Sequence, residues 1–161
     1  MHGRAEELIR GLNLTPHPEG GYFKETHRSA LTLTLPGSGA RRNGMTDIFF
    51  LLVTGQVSRL HRVLHDEIWH FYEGDPLELV EIRADLTEVR RVVLSGAGSS
   101  PRYKHCVQGG NWQAAYSRGE YSLVGCTVAP GFDFADFEFM DPGVAGTSAL
   151  FVETPELARL L

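Results

Sequence analysis

The sequence lacks a basic face. Its 161 residues hold 15 Lys and Arg against 20 Asp and Glu, a formal charge of −5, which leaves no dense cationic surface for gripping nucleic-acid phosphates. The pairs Arg41-Arg42 and Arg90-Arg91 are too short to change that and read as solvated loop or strand-end charges. A long apolar run is missing too: Ile48 to Val53 falls far short of the roughly 20 residues a bilayer-crossing helix needs. The opening Met-His-Gly-Arg-Ala-Glu-Glu has no signal-peptide core. These absences predict a soluble, cytoplasmic chain with neither a membrane nor a nucleic-acid partner. Cysteine is scarce. Cys106 and Cys126 make neither a CxxC pair nor a disulfide framework, and each is expected as a small buried apolar residue. Nor is there a phosphate-binding glycine loop, because Gly20-Gly21, Gly96-Ala97-Gly98 and Gly109-Gly110 do not stand between a strand and a helix N-terminus.

What is present is an ordinary globular composition, 42% hydrophobic and 22% charged, over a length that suits one domain spanning residues 1–161. Ala5, Leu8, Ile9 and Leu12 recur at helical spacing and predict a short amphipathic surface helix. Thr154-Pro155-Glu156 supplies an N-cap candidate and a first-turn proline for a second, terminal helix. Between the two the pattern is β almost throughout. Candidate strands are 22–28, 48–54, 58–64, 68–72, 77–82, 89–94, 112–116, 122–128 and 134–139, separated by Gly, Pro, Asn and Asp. Residues 35–44 and 95–102 read as irregular loops, the first exposed and mobile. Closely spaced strands with no helices between them predict a mainly β, antiparallel sandwich or barrel.

The chemistry concentrates between Gly55 and Gly74. On an extended strand His61 and Val63 share a face, and a turn at His65-Asp66 brings Glu67 back beside them on the next strand. Alternation from Glu67 sends Trp69 and Phe71 inward, and His70 and Tyr72 outward. This stretch resembles the first cupin motif. Gly55, His61, Glu67 and Gly74 fall on its spacing, and Val63 stands where a second His is expected. Gln108-Gly109-Gly110-Asn111-Trp112-Gln113 resembles the second motif, with Gln113 in place of a metal-binding His. More closely, the chain is similar to the Cupin-5 (DUF985) family of the RmlC-like cupin superfamily. The likeness rests on His17-Pro18-Glu19-Gly20-Gly21-Tyr22, Asp66-Glu67-Ile68-Trp69-His70-Phe71, Gly74-Asp75-Pro76 and Val124-Gly125-Cys126 with Ala129-Pro130-Gly131.

The resemblance implies a cupin antiparallel β-barrel or jelly roll with short terminal helices, a homodimer, and an internal pocket for a small-molecule ligand. The metal set it implies is eroded. Valine offers no donor and a glutamine carbonyl is a weak ligand, so no cofactor is expected, with only a loosely held divalent metal left open through His65 and His70. The favoured reading is a cupin that binds a small molecule in its barrel, extended to an epimerase or isomerase of a sugar nucleotide or other carbonyl compound that uses His61 as base and Glu67 as its partner. Trp69 is the expected pocket aromatic, with Gln113, Val63 and Phe134 as further ligand contacts. The acid such an enzyme needs is not identified among Tyr22, Tyr72, Tyr116 and Tyr121. Pro18-Glu19-Gly20-Gly21 reads as a turn launching a strand that leaves Glu25 and Arg28 within reach of a pocket mouth. The alternatives are a non-catalytic metabolite-binding module and a metal-dependent cupin oxygenase or isomerase.

Overall fold

A computed structural model describes residues 3–144 and 146–161. Helix α1 (Gly3–Leu12) leads into β1 (Thr15–Pro16), β2 (Tyr22–Arg28), β3 (Thr32–Thr34), β4 (Arg41–Asn43), β5 (Thr46–Val53), β6 (Ser58–Val63) and β7 (Asp66–Gly74). There follow β8 (Leu77–Ile82), β9 (Val89–Leu94), β10 (Lys104–Val107), β11 (Trp112–Ser117), β12 (Tyr121–Ala129) and β13 (Phe137–Phe139). The chain closes with α2 (Thr147–Glu153) and a 3-10 helix, Pro155–Leu160. Two antiparallel sheets carry the fold, one ordered β1-β2-β5-β12-β7-β10 and the other β13-β6-β11-β8-β9, in a jelly-roll arrangement.

The period-2 pattern explains the layers. Along β8, Leu77 and Leu79 join an inner cluster with Phe50, Trp69, Val124 and Leu94 from both sheets, while Val80 and Ile82 point the other way. The outer face of the second sheet is covered by the C-terminal helices through Leu150, Leu157 and Leu160. On the outer face of the first sheet, α1 sets Ala5 and Leu8 against Leu51, Val53 and Leu123. Each fully buried leucine or phenylalanine contributes about 1.5–3 kcal/mol of transfer free energy. Helix, sheet, sheet and helix therefore stack, and the cavity is left to one end of the space between the sheets.

Several expectations need correction. Residues 35–44 are not wholly loop: β4 pairs with β3 to form a hairpin arm, and Leu35 is buried. Arg42, read as a solvated charge, is a part-buried ion-pair partner, with Nε and Nη2 donating to the two Asp136 carboxylate oxygens at 2.6 and 2.7 Å. That contact ties the arm to a 3-10 turn at Phe134–Asp136, which replaces the predicted strand start there. Asp133 caps this turn through its carboxylate, which accepts from the Ala135 N–H. Cys106 is exposed rather than buried. Thr154 does not cap the last helix, since its hydroxyl donates back to the Leu150 carbonyl and ends α2, an element the sequence reading did not contain.

Candidate functional site

Strand β6 turns Leu60 and Arg62 outward, where Arg62 stacks over the Trp112 ring, and so turns His61 and Val63 inward. Register then does the assembling. Gln113 of β11 lies directly opposite His61, and Glu67 enters on β7 between Val128 and Val107. His61, Val63, Glu67 and Gln113 thus meet as alternation predicts.

The hydrogen-bond directions at this floor are fixed by groups that can only donate or only accept. The Trp69 indole N–H can only donate, so the Gln113 atom facing it at 2.9 Å is the amide oxygen. The amide NH2 must then face the other way. It donates to Glu67 Oε2 and lies 3.2 Å from His61 Nε2. The Arg59 carbonyl, which can only accept, sits 2.7 Å from His61 Nδ1 and places a hydrogen there. A neutral His61 therefore presents its Nε2 lone pair to the floor, with its ring stacked on Phe137 at 5.1 Å.

Trp69 consequently has a different place from the one expected of it. It is fully buried in the inner cluster behind the floor, locking Gln113 rather than stacking on a ligand. Gln113 is likewise behind the surface, holding His61 and Glu67 in place. Phe134 stands at the rim and is 60% exposed.

One residue of the floor was read only as part of a turn. Glu19 is buried, its Oε2 3.2 Å from His61 Nε2 and its Oε1 accepting from the Ser58 hydroxyl at 3.0 Å. The turn that delivers it depends on Gly20, whose φ of +112° and contact with the Val57 carbonyl leave no space for a Cβ. His17 stands beside it, its Nδ1 3.8 Å from Glu19 Oε1. The available signal was His17 and Glu19 two residues apart ahead of paired glycines.

Burial governs the protonation of the floor. It pushes the His61 imidazole below its usual range against the pull of Glu67, and pushes His17 down as well. It pushes the Glu19 and Glu67 carboxyls up, and holds the Cys126 thiol well above its ordinary value. The close Glu19–His61 contact is relieved when the two share one proton, carried in this dry setting by the acid. Above the floor opens a cavity of about 260 Å³, with Phe23, Ile48, Val63 and Val128 on its walls and Arg28, Phe132 and Phe134 towards its rim. Among the described residues that line it there is no tyrosine.

These residues do not suit a divalent cation. Val63 has no donor atom, Gln113 Oε1 is occupied by the indole, and no group of three or more His, Cys, Asp or Glu side chains among the described residues is arranged to hold one. His65 and His70 have separate surroundings: His65 Nε2 lies 3.3 Å from Asp136 Oδ2 without hydrogen-bond alignment, and His70 Nε2 meets the Thr127 hydroxyl at 3.1 Å. No helix among the described residues is long and apolar enough to cross a membrane.

Comparison with known proteins places this geometry. An uncharacterised protein of Saccharomyces cerevisiae is 29% identical over 150 residues, 84% of this chain and 74% of its own length. A solved structure of a hypothetical protein from Leishmania major superposes with a TM-score of 0.82 at 34% identity, covering 97% of this chain and 96% of that one. A protein from Shewanella oneidensis gives 0.81 at 31% identity with the same coverage. Residues 6–140 match the family described as Cupin superfamily (DUF985), and with the two-sheet fold around an inward His61 and Glu67, the chain belongs to that family.

Proposed function

We propose that the chain binds a small hydroxylated carbonyl compound in its cavity and moves a proton on it, in the manner of an isomerase or epimerase. The observation that supports this reading is the 3.2 Å contact between Glu19 Oε2 and His61 Nε2 at the closed end of the cavity. His61 Nε2 takes a proton from the carbon next to the carbonyl, while the Glu19 carboxyl gives its proton to the carbonyl oxygen, so the intermediate enol carries no net charge. Return of a proton to carbon, and of the enol proton to Glu19, completes the exchange. Glu67 acts through Gln113, which it holds with its amide towards His61. Glu19 thereby fills the role of acid left unassigned among the tyrosines.

A second reading, a non-catalytic binding module, draws on the way each floor group already has a partner inside the protein, Ser58 for Glu19 and Trp69 for Gln113. One experiment separates the two. The small molecule released on denaturing the purified protein is identified by mass, then returned to the folded protein in deuterated water. Deuterium uptake next to the carbonyl, lost in His61→Ala, is the expected result; binding without uptake gives the module reading precedence. The homodimer implied by the family belongs to the same proposal. Tyr72, 47% exposed beside His70 on the outer face of the first sheet, suits burial against a second copy, and light scattering in solution tests it.

A further inference from the structure

The charges that face the cavity are unequal. Among its described lining residues are the carboxylates of Glu19, Glu25, Glu67 and Asp133 but one guanidinium, that of Arg28. Most of the Arg28 guanidinium is already engaged within the protein. Its Nε and Nη2 donate to the two Glu25 oxygens at 3.0 and 2.7 Å, and Nη1 donates to Asn43 Oδ1 and to the Phe132 carbonyl. The other nearby cations are also engaged. Arg42 is bound to Asp136, and Arg59 donates to the Pro18 carbonyl with its guanidinium over the Phe139 ring. His17 and His61, being buried, favour their neutral forms. With Arg28 cancelled by Glu25 and Glu19 carrying its proton, the uncompensated charge is that of Asp133 at the rim, which gives the cavity mouth a negative potential that the low-dielectric walls focus.

Size points the same way. A volume of about 260 Å³ lies just below the roughly 300–1,000 Å³ of ordinary small-molecule pockets, which suits a compact ligand of monosaccharide size. A nucleoside diphosphate would have to project through the rim, past Glu25 and Asp133.

We infer that the cavity selects a compact hydroxylated ligand that is uncharged or carries an amine, and that it rejects the diphosphate of a sugar nucleotide. This rests on the reading that the cavity admits a small molecule, and it narrows the substrate to a free sugar, an amino sugar or a compound of like size. The aromatic faces of Phe23, Phe132 and Phe134 are compatible with an ammonium group and offer nothing to a phosphate.

Cys126 supplies a reporter, because it lines the cavity near Glu67. The folded chain is treated with aminoethyl, ethyl and sulfonatoethyl methanethiosulfonate, compact reagents that share one reactive group and differ in charge. Modification of Cys126 is followed by peptide mass spectrometry, and each rate is divided by that of the same reagent on the urea-unfolded chain. The raised pKa of the thiol slows all three equally and drops out of the ratios. The ammonium reagent is expected to exceed the sulfonate by about tenfold or more. In the double variant Glu25→Gln, Asp133→Asn, which frees Arg28, that preference should fall by about threefold or more. A sulfonate rate equal to or above the ammonium rate, or a preference unmoved in the double variant, overturns the inference and leaves the proposed function standing. Failure of all three reagents to modify Cys126 even as the pH is raised to favour the thiolate, while the chain stays folded, removes both, because a cavity closed to such reagents is closed to a sugar.

Discussion

Two of the regions that bury glutamates treat them in opposite ways. Glu78, on the outer side of β8, accepts from Arg91 Nη1 at 3.0 Å and from Arg118 Nε at 2.8 Å. Burial alone would raise its carboxyl, and the hydrogen bonds from Arg118 and Arg91 outweigh that and hold it below the usual carboxylate range. Glu19 and Glu67, in the cavity, are buried without an arginine partner, and their principal contacts are a hydroxyl, an amide and an imidazole. Their carboxyls are pushed up. The fold can neutralise a buried acid with guanidinium and does so where the acid only ties β8 to β9 and to the turn between β11 and β12. Leaving two acids beside a neutral imidazole is the arrangement that keeps a transferable proton near neutrality.

The comparison breaks most visibly in catalysis. His61→Asn should lower deuterium exchange on the bound molecule by about 100-fold or more, whereas Glu78→Gln should leave it unchanged. Next in size is Trp69→Phe, which keeps an aromatic ring but leaves a small void and strands Gln113 Oε1 in the core. Urea unfolding should show a loss of about 1–3 kcal/mol, with the amide freed to turn over and His61 released from its orientation. Glu78→Gln should cost about 1–2 kcal/mol by the same measurement, less than a fully buried pair because Arg91 and Arg118 are 35% and 48% exposed.

The smallest effect is also the sharpest, because its sign reverses. A carboxyl lowered by folding, as in Glu78, contributes stability above its unfolded pKa that is lost as pH falls through the folded value. Glu67 is raised by folding, so the unfolded chain releases that proton first as pH climbs past about 4.3, and the native state loses ground from there to the folded value. Glu67→Gln removes that loss. Its stability relative to the parent should therefore rise with pH, while that of Glu78→Gln falls, in paired urea titrations from acid to mildly alkaline pH.

Much of the sheet was legible because burial on one face writes a period of two into the residues. Strands at Tyr22–Arg28, Leu77–Ile82 and Val89–Leu94 lie where the pattern put them. Spacing located His61 and Glu67 for the same reason, since both sit on regular strands joined by a tight turn. What escaped depends on contacts distant in sequence. Glu19 reads as part of a turn until Ser58, 39 residues on, is seen to donate its hydroxyl hydrogen to it. The arm of β3 and β4 looks like loop because Gly, Ser and Arg dominate it, and what orders Arg42 is Asp136, 94 residues away. Trp69 was correctly turned inward by alternation, but alternation cannot tell a wall from what lies behind it. Only the Gln113 oxygen decides that.

The ion pair between Arg42 and Asp136 has a reach beyond its own energy. Asp136 closes the short turn that begins with Phe134 at the cavity rim, and Arg42 belongs to a hairpin whose Thr32–Thr34 and Arg41–Asn43 segments have, among the described residues, only each other as strand partners. Whatever settles against Phe134 should be felt at that distant hairpin as slower amide exchange, so the arm would act as a remote gauge of occupancy for a guest it never touches.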